Sequence, residues 1–137
     1  MQDSYDRWNN IKKDTDYSKT RKLMIKPREI FWVKIGQNIG DEEYGKGENF
    51  TRPVIIIKQL SRDLFIGVPT TTTIKDGDYF HIFEYINKQR GLLKNSAMIL
   101  QLKVFSKKRV MNKVGMINKD DFEKILEKTR KLLVSPT

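Results

Sequence analysis

The pattern of apolar and polar positions divides the chain near Pro27. Residues 1–26 are polar and basic; within them Trp8 and Ile11, three apart among charged residues, give a short helix with one apolar edge. Beyond Pro27 the pattern is β. Ile30-Phe31-Trp32-Val33-Lys34-Ile35 is rich in aromatic and β-branched residues, which suit a pleated, half-buried surface. Val54-Ile55-Ile56-Ile57 is continuously apolar and predicts a strand covered on both faces. Leu64-Phe65-Ile66-Gly67-Val68 follows across the turn-like Ser61-Arg62-Asp63, completing a hairpin. Pro69 interrupts this pattern, so the run Thr70–Thr73 is expected at a bend or sheet edge.

Further along, Asp76-Gly77-Asp78 marks a turn leading into a strand over Tyr79–Phe83. Ala97–Phe105 alternates, with Met98, Leu100, Leu102 and Val104 on one side and Ile99, Gln101 and Lys103 on the other. A last short strand is predicted around Val114–Ile117. Asn118 then caps a helix whose first turn carries Asp120 and Asp121, favourable at the positive helix end. Phe122, Ile125, Leu126, Leu132 and Leu133 keep helical spacing. Five or six short strands closed by a helix predict a mainly β, α+β fold of small-barrel type. The expected organisation is a basic extension over 1–27 and one domain over 28–137. Between the first two strands, residues 36–51 form a long, charged loop with Gly36, Gly40, Gly45 and Gly47, a candidate lid.

Composition changes this picture by exclusion. There is no cysteine, so disulfides, thiolate metal sites and cysteine nucleophiles are out. No apolar run approaches the roughly 18 residues of a membrane span, and a cytoplasmic protein is expected. The net charge of +10 implies a polyanionic partner, either nucleic acid or an acidic protein. Basic residues concentrate in Gln101–Lys113, whereas Asp41–Glu48 is acidic.

The available chemistry is equally restricted. His81 is the only histidine, which rules out a two-histidine ribonuclease mechanism; mid-strand, it is expected to be structural or exposed. The carboxylates lie in the loop and on the helix face rather than in a converging set, so no metal or other cofactor is expected. The glycines of the loop lack the Lys-Ser/Thr of a P-loop. Arginine, lysine, threonine and loop backbone remain, and these suffice to cut RNA. RNA carries its own nucleophile, the 2′-hydroxyl, and a guanidinium can stabilise the pentacovalent phosphate while staying charged. The same high pKa makes arginine a poor base, so stabilisation is the role expected of it.

Three segments resemble the opening of a known family. Arg28-Glu29-Ile30-Phe31-Trp32-Val33, Gly40-Asp41-Glu42-Glu43-Tyr44-Gly45-Lys46-Gly47 and Thr51-Arg52-Pro53-Val54-Ile55-Ile56 are similar to the first strand, glycine loop and Arg-Pro-Val strand of MazF/PemK toxins. Gly67-Val68-Pro69-Thr70-Thr71, Ser96–Lys103 and Lys107-Lys108-Arg109-Val110 continue the resemblance in order, over residues 28–133. The leader Trp8–Lys13 resembles that of a longer PemK-like subgroup.

The resemblance implies an SH3-like barrel, a homodimer, and metal-independent cleavage of single-stranded RNA through a 2′,3′-cyclic phosphate. It also implies neutralisation by an antitoxin, and the charge of the chain favours an acidic antitoxin segment that covers Arg52. The family's catalytic arginine and threonine fall on Arg52 and Thr71. Glu42 and Gln101 match family positions and, with Lys46, Thr72 and Lys103, are the expected RNA contacts. Glu43 and Ser106 depart from the family pattern, where Gln and Asp are common. Two alternatives stand beside this reading. A gyrase-inhibiting toxin of the CcdB branch acts through its C-terminal helix, commonly with a terminal Trp, and no Trp follows Trp32 here. The other is a non-catalytic RNA- or protein-binding module of the same fold.

Overall fold

A computed structural model of the chain describes residues 23–36 and 50–134. The basic N-terminal extension, including Trp8 and Ile11, and the glycine loop with Glu42, Glu43 and Lys46 lie outside the described residues. Among the described residues, seven strands form one curled antiparallel sheet: β1 (Glu29–Lys34), β2 (Thr51–Gln59), β3 (Leu64–Thr71), β4 (Phe80–Asn87), β5 (Gly91–Met98), β6 (Lys103–Ser106) and β7 (Val110–Met116). Their order is β4-β5-β3-β2-β1-β7, with β6 paired to β3 alone. Among the described residues one α-helix, α1 (Lys119–Val134), closes the fold, which is thus the mainly β, small-barrel α+β class expected. The Lys88 amide donates to the Val114 carbonyl at 2.9 Å, drawing the end of β4 against β7.

Strand alternation produces two cores. Ile30 and Ile55 enter the cluster beneath α1, with Val68, Phe83, Phe122 and Ile125. Their strand neighbours Phe31, Val33, Val54 and Ile56 enter a second cluster with Phe65 and Phe105 on the opposite face. The apolar run in β2 is therefore covered on both sides, as predicted, and full burial of each such side chain contributes roughly 2 kcal/mol. Phe65 and Phe105 stack at 5.5 Å across the β3–β6 pair. Gly67 lies against both rings, and a Cβ there would stand 2.5 Å from Val54 Cγ1, 3.1 Å from Phe65 Cε2 and 3.2 Å from Phe105 Cδ2.

Several expectations need correction, beginning with the five or six strands expected where seven form. Ala97–Phe105 is not one strand: β5 ends at Met98, Ile99–Gln101 turns as a 3-10 helix, and β6 starts at Lys103. The turn shifts the side-chain phase, so Ile99 is buried while Leu100 and Val104 are exposed. It also exchanges the partner of β3, since β5 pairs with Thr70 and Thr71 and β6 pairs with Leu64–Gly67. Pro69 does not end β3. It sits in the gap between those two pairings, where a missing N–H costs no ladder bond on that edge, and it pairs with Val54 on the other. Finally, the buried face of α1 is Phe122, Ile125 and Thr129, whereas Leu132 and Leu133 are exposed because the helix runs past the core.

Local polar contacts set the helix in place. Asn118 Oδ1 accepts from the Asp121 amide at 2.7 Å, the expected cap. Asp121 Oδ1 meets His81 Nε2 at 2.8 Å, so the lone histidine joins β4 to the first turn of α1. Lys128 Nζ donates to the carbonyls of Gly77 and Phe80 at 3.0 and 2.6 Å.

Candidate active site

The site is built where β2 begins and β3 ends. Continuing the Val54–Pro69 register sets Arg52 across from Thr71 at the rim of the sheet. Alternation places both on the face of the second core, because Arg52 follows Val54 and Ile56 in phase. Both side chains are half-buried. Arg52 Nη1 donates to the Thr70 carbonyl at 3.2 Å, and its guanidinium lies 4.8 Å from the centre of the Phe50 ring. The two contacts orient the planar cation, one by a hydrogen bond and one by the negative face of the ring.

Thr71 ends the strand in a local turn. Its Oγ1 accepts from the Thr73 amide at 3.2 Å, and a hydroxyl engaged as acceptor still carries a proton to donate. The bend expected in the threonine run falls after Thr71: Thr70 and Thr71 lie on opposite faces at the end of β3, and Thr72 and Thr73 are exposed outside the strand.

Behind the rim stand polar residues the sequence did not single out. Thr70 is fully buried, and its hydroxyl donates to the Pro53 carbonyl at 3.0 Å. Asn95 on β5, also buried, donates from Nδ2 to Thr70 Oγ1 at 3.4 Å. Ser96, paired with Thr71, accepts from the Lys75 amide at 2.8 Å and donates to the Lys75 carbonyl at 3.1 Å, which holds the Thr72–Lys75 bend against β5. The only signal for these residues was a polar pair, Asn95-Ser96, entering an otherwise apolar strand end.

The remaining predicted contacts are spread more widely. Lys103 pairs with Gly67 on β6 and shares the face of Thr71, about 13 Å along β3 from it at the usual strand rise. Its Nζ lies 5.1 Å from the centre of the Phe105 ring. Gln101 lies exposed in the 3-10 turn, not in a strand. Lys107-Lys108-Arg109 forms a second 3-10 turn: Lys107 is buried, while Lys108 and Arg109 are exposed, Arg109 Nη1 lying 3.4 Å from the Lys34 carbonyl. Among the described residues no three His, Asp or Glu side chains are grouped to hold a metal ion.

A family model described as PemK-like, MazF-like toxin of type II toxin–antitoxin systems matches residues 26–133. The chain belongs to this PemK/MazF toxin family. Members are generally endoribonucleases held in check by an antitoxin partner. In this PemK-like chain the match spans every described strand and all of α1 but Val134. Among curated proteins, none matches it. No helix among the described residues is long and apolar enough to cross a membrane.

Proposed function

We propose that this toxin is a sequence-selective endoribonuclease that cleaves single-stranded RNA without a metal, with Arg52 and Thr71 at the reaction centre. The observation that carries the reading is the anchored guanidinium: Arg52, held by the Thr70 carbonyl and the Phe50 ring, faces the hydroxyl-bearing end of β3. In the reaction the 2′-oxygen attacks phosphorus and gives up its proton. The bond to the 5′-oxygen breaks, and that oxygen takes up a proton, leaving a 2′,3′-cyclic phosphate and a 5′-hydroxyl. Arg52 stabilises the charge that builds on the phosphate oxygens, and Thr71 donates a hydrogen bond to one of them. Because DNA lacks the 2′-hydroxyl, it is spared.

Glu42, Lys46, Thr72, Gln101 and Lys103 are proposed to contact the RNA around this centre. Residues 1–27 are proposed as an extension to the 28–137 domain. A homodimer is supported by exposed apolar side chains at Leu100 and Val104 and at the end of α1, Leu133 and Val134. An acidic segment of the antitoxin is proposed to cover Arg52.

Incubation of the purified protein with a long mixed RNA in EDTA tests the reading, with product ends mapped. Cyclic phosphate ends at a repeated short sequence, lost in Arg52→Ala and Thr71→Val, are expected. Intact cleavage in both variants would remove these residues from the reaction; RNA binding without products would leave a non-catalytic binding module.

A further inference from the structure

The face that carries Thr71 continues along the β4–β5 hairpin to an uncovered apolar pair. Thr71 pairs with Ser96, and alternation along β5 brings Lys94 and Leu92 onto the same face. Their partners on β4 are Ile82, Glu84 and Ile86. The opposite face holds Phe83 and Tyr85, buried in the core beneath α1. At the hairpin end Ile86 and Leu92 stand directly across from each other, 69% and 64% exposed. The turn is well anchored, since Asn87 Oδ1 accepts from the amides of Gln89 and Arg90 at 2.9 and 3.1 Å. The aliphatic pair is thus held out on a formed hairpin, ringed by exposed Lys88, Arg90 and Lys94 against the single acid Glu84.

We propose that this hairpin end is a docking surface for an extended acidic protein segment bearing an aliphatic or aromatic anchor. Ile86 and Leu92 receive the anchor, and Lys88, Arg90 and Lys94 meet its carboxylates. The partner rests on the toxin–antitoxin reading: Leu92 lies four residues, about 13 Å of strand, beyond Ser96, so a segment covering Arg52 and Thr71 reaches it by passing over the Thr72–Lys75 bend that Ser96 holds. Charge selects this occupant. A second copy of the chain brings the same basic turn, and residues 1–22 hold six Lys or Arg against four Asp, so both would add like charge. Nucleic acid matches the charge but meets two aliphatic side chains where base stacking requires an aromatic face.

The test uses the full-length protein and a synthetic acidic peptide of Glu and Asp with two leucines, beside the same peptide with serines in their place. The wild type is expected to bind the leucine peptide at least ten-fold more tightly, with amide shifts over residues 84–94. Ile86→Thr/Leu92→Thr, which keeps β propensity, is expected to erase that difference while cleaving RNA at the wild-type rate. Equal binding of the two peptides, or discrimination retained by the variant, overturns the proposal. So does a change of the variant from dimer to monomer, which would make the hairpin a self-interface. An equal ten-fold loss of affinity for a 2′-O-methyl RNA would make it an RNA contact and likewise overturn it. Absence of RNA cleavage by the wild type would count against the ribonuclease reading alone and leave the peptide result standing.

Discussion

Arg52 Nη1 donates to the carbonyl of Thr70, the residue next to Thr71, so the cation and the hydroxyl of the candidate site share one anchor. A shift of either strand end would move both together. This coupling makes guanidinium geometry, and not charge alone, the property to vary.

Arg52→Lys keeps the charge but loses the planar fork and the aligned bond to Thr70. RNA affinity is expected to change little, while single-turnover cleavage falls by about 100-fold or more. Rapid-quench rates beside filter-binding affinities separate the two effects. A wild-type rate in the lysine variant would reduce Arg52 to a charge contact.

Thr70→Val removes a hydroxyl that donates to Pro53 and accepts from Asn95, leaving buried polar groups without a partner. Urea unfolding is expected to show a loss of about 1–3 kcal/mol. Adding Asn95→Leu recovers part of that loss, because an amide that has lost its partner is then gone as well. Strictly additive costs in the double-mutant cycle would mean the two side chains are not coupled.

Gly115 lies against β4: a Cβ there would stand 2.5 Å from Tyr85 Cδ2 and 2.8 Å from the Ile86 carbonyl oxygen. Gly115→Ala is expected to destabilise by about 1–3 kcal/mol, since a ring and a backbone must move. A melting temperature equal to that of the wild type would show that the β4–β7 seam is looser than the contacts imply.

Asn118→Ala deletes the cap of α1 and frees Asp121 from one of its two side-chain partners. Stability is expected to fall by about 1 kcal/mol, and Asn118→Ser, which caps without setting a second carboxylate against Asp121, to restore most of it. Equal losses in the two variants, measured by denaturant midpoints, would assign the effect to something other than capping.

Much of this protein was legible in its sequence. The apolar run in β2, the aromatic opening of β1, the Asp76-Gly77-Asp78 turn and the Asn118 cap are local signals, each set by residues within a few positions of one another. Elimination left arginine, lysine and threonine chemistry, resemblance pointed to Arg52 and Thr71, and the fold brings these two to adjacent strand ends. The strand-turn-strand over Ala97–Phe105 was not legible, because a 3-10 turn of three residues leaves the apolar alternation on either side superficially continuous. Gln101 was consequently placed in a strand it does not occupy.

Sequence alone determined the class of fold and the inventory of chemistry: no cysteine, one histidine, a basic balance and a β pattern closed by a helix. Tertiary structure decided which polar groups became structural. Thr70 and Thr71 are adjacent and identical, yet pairing buries the first against Pro53 and Asn95 and leaves the second at the rim. Pro69 was read as a break, and only the exchange of β6 for β5 along the same edge makes it a strand residue. The physical reason is the same in each case. A residue's hydrogen-bonding needs are written in its own chemistry, but the groups that meet them come from strands tens of residues away.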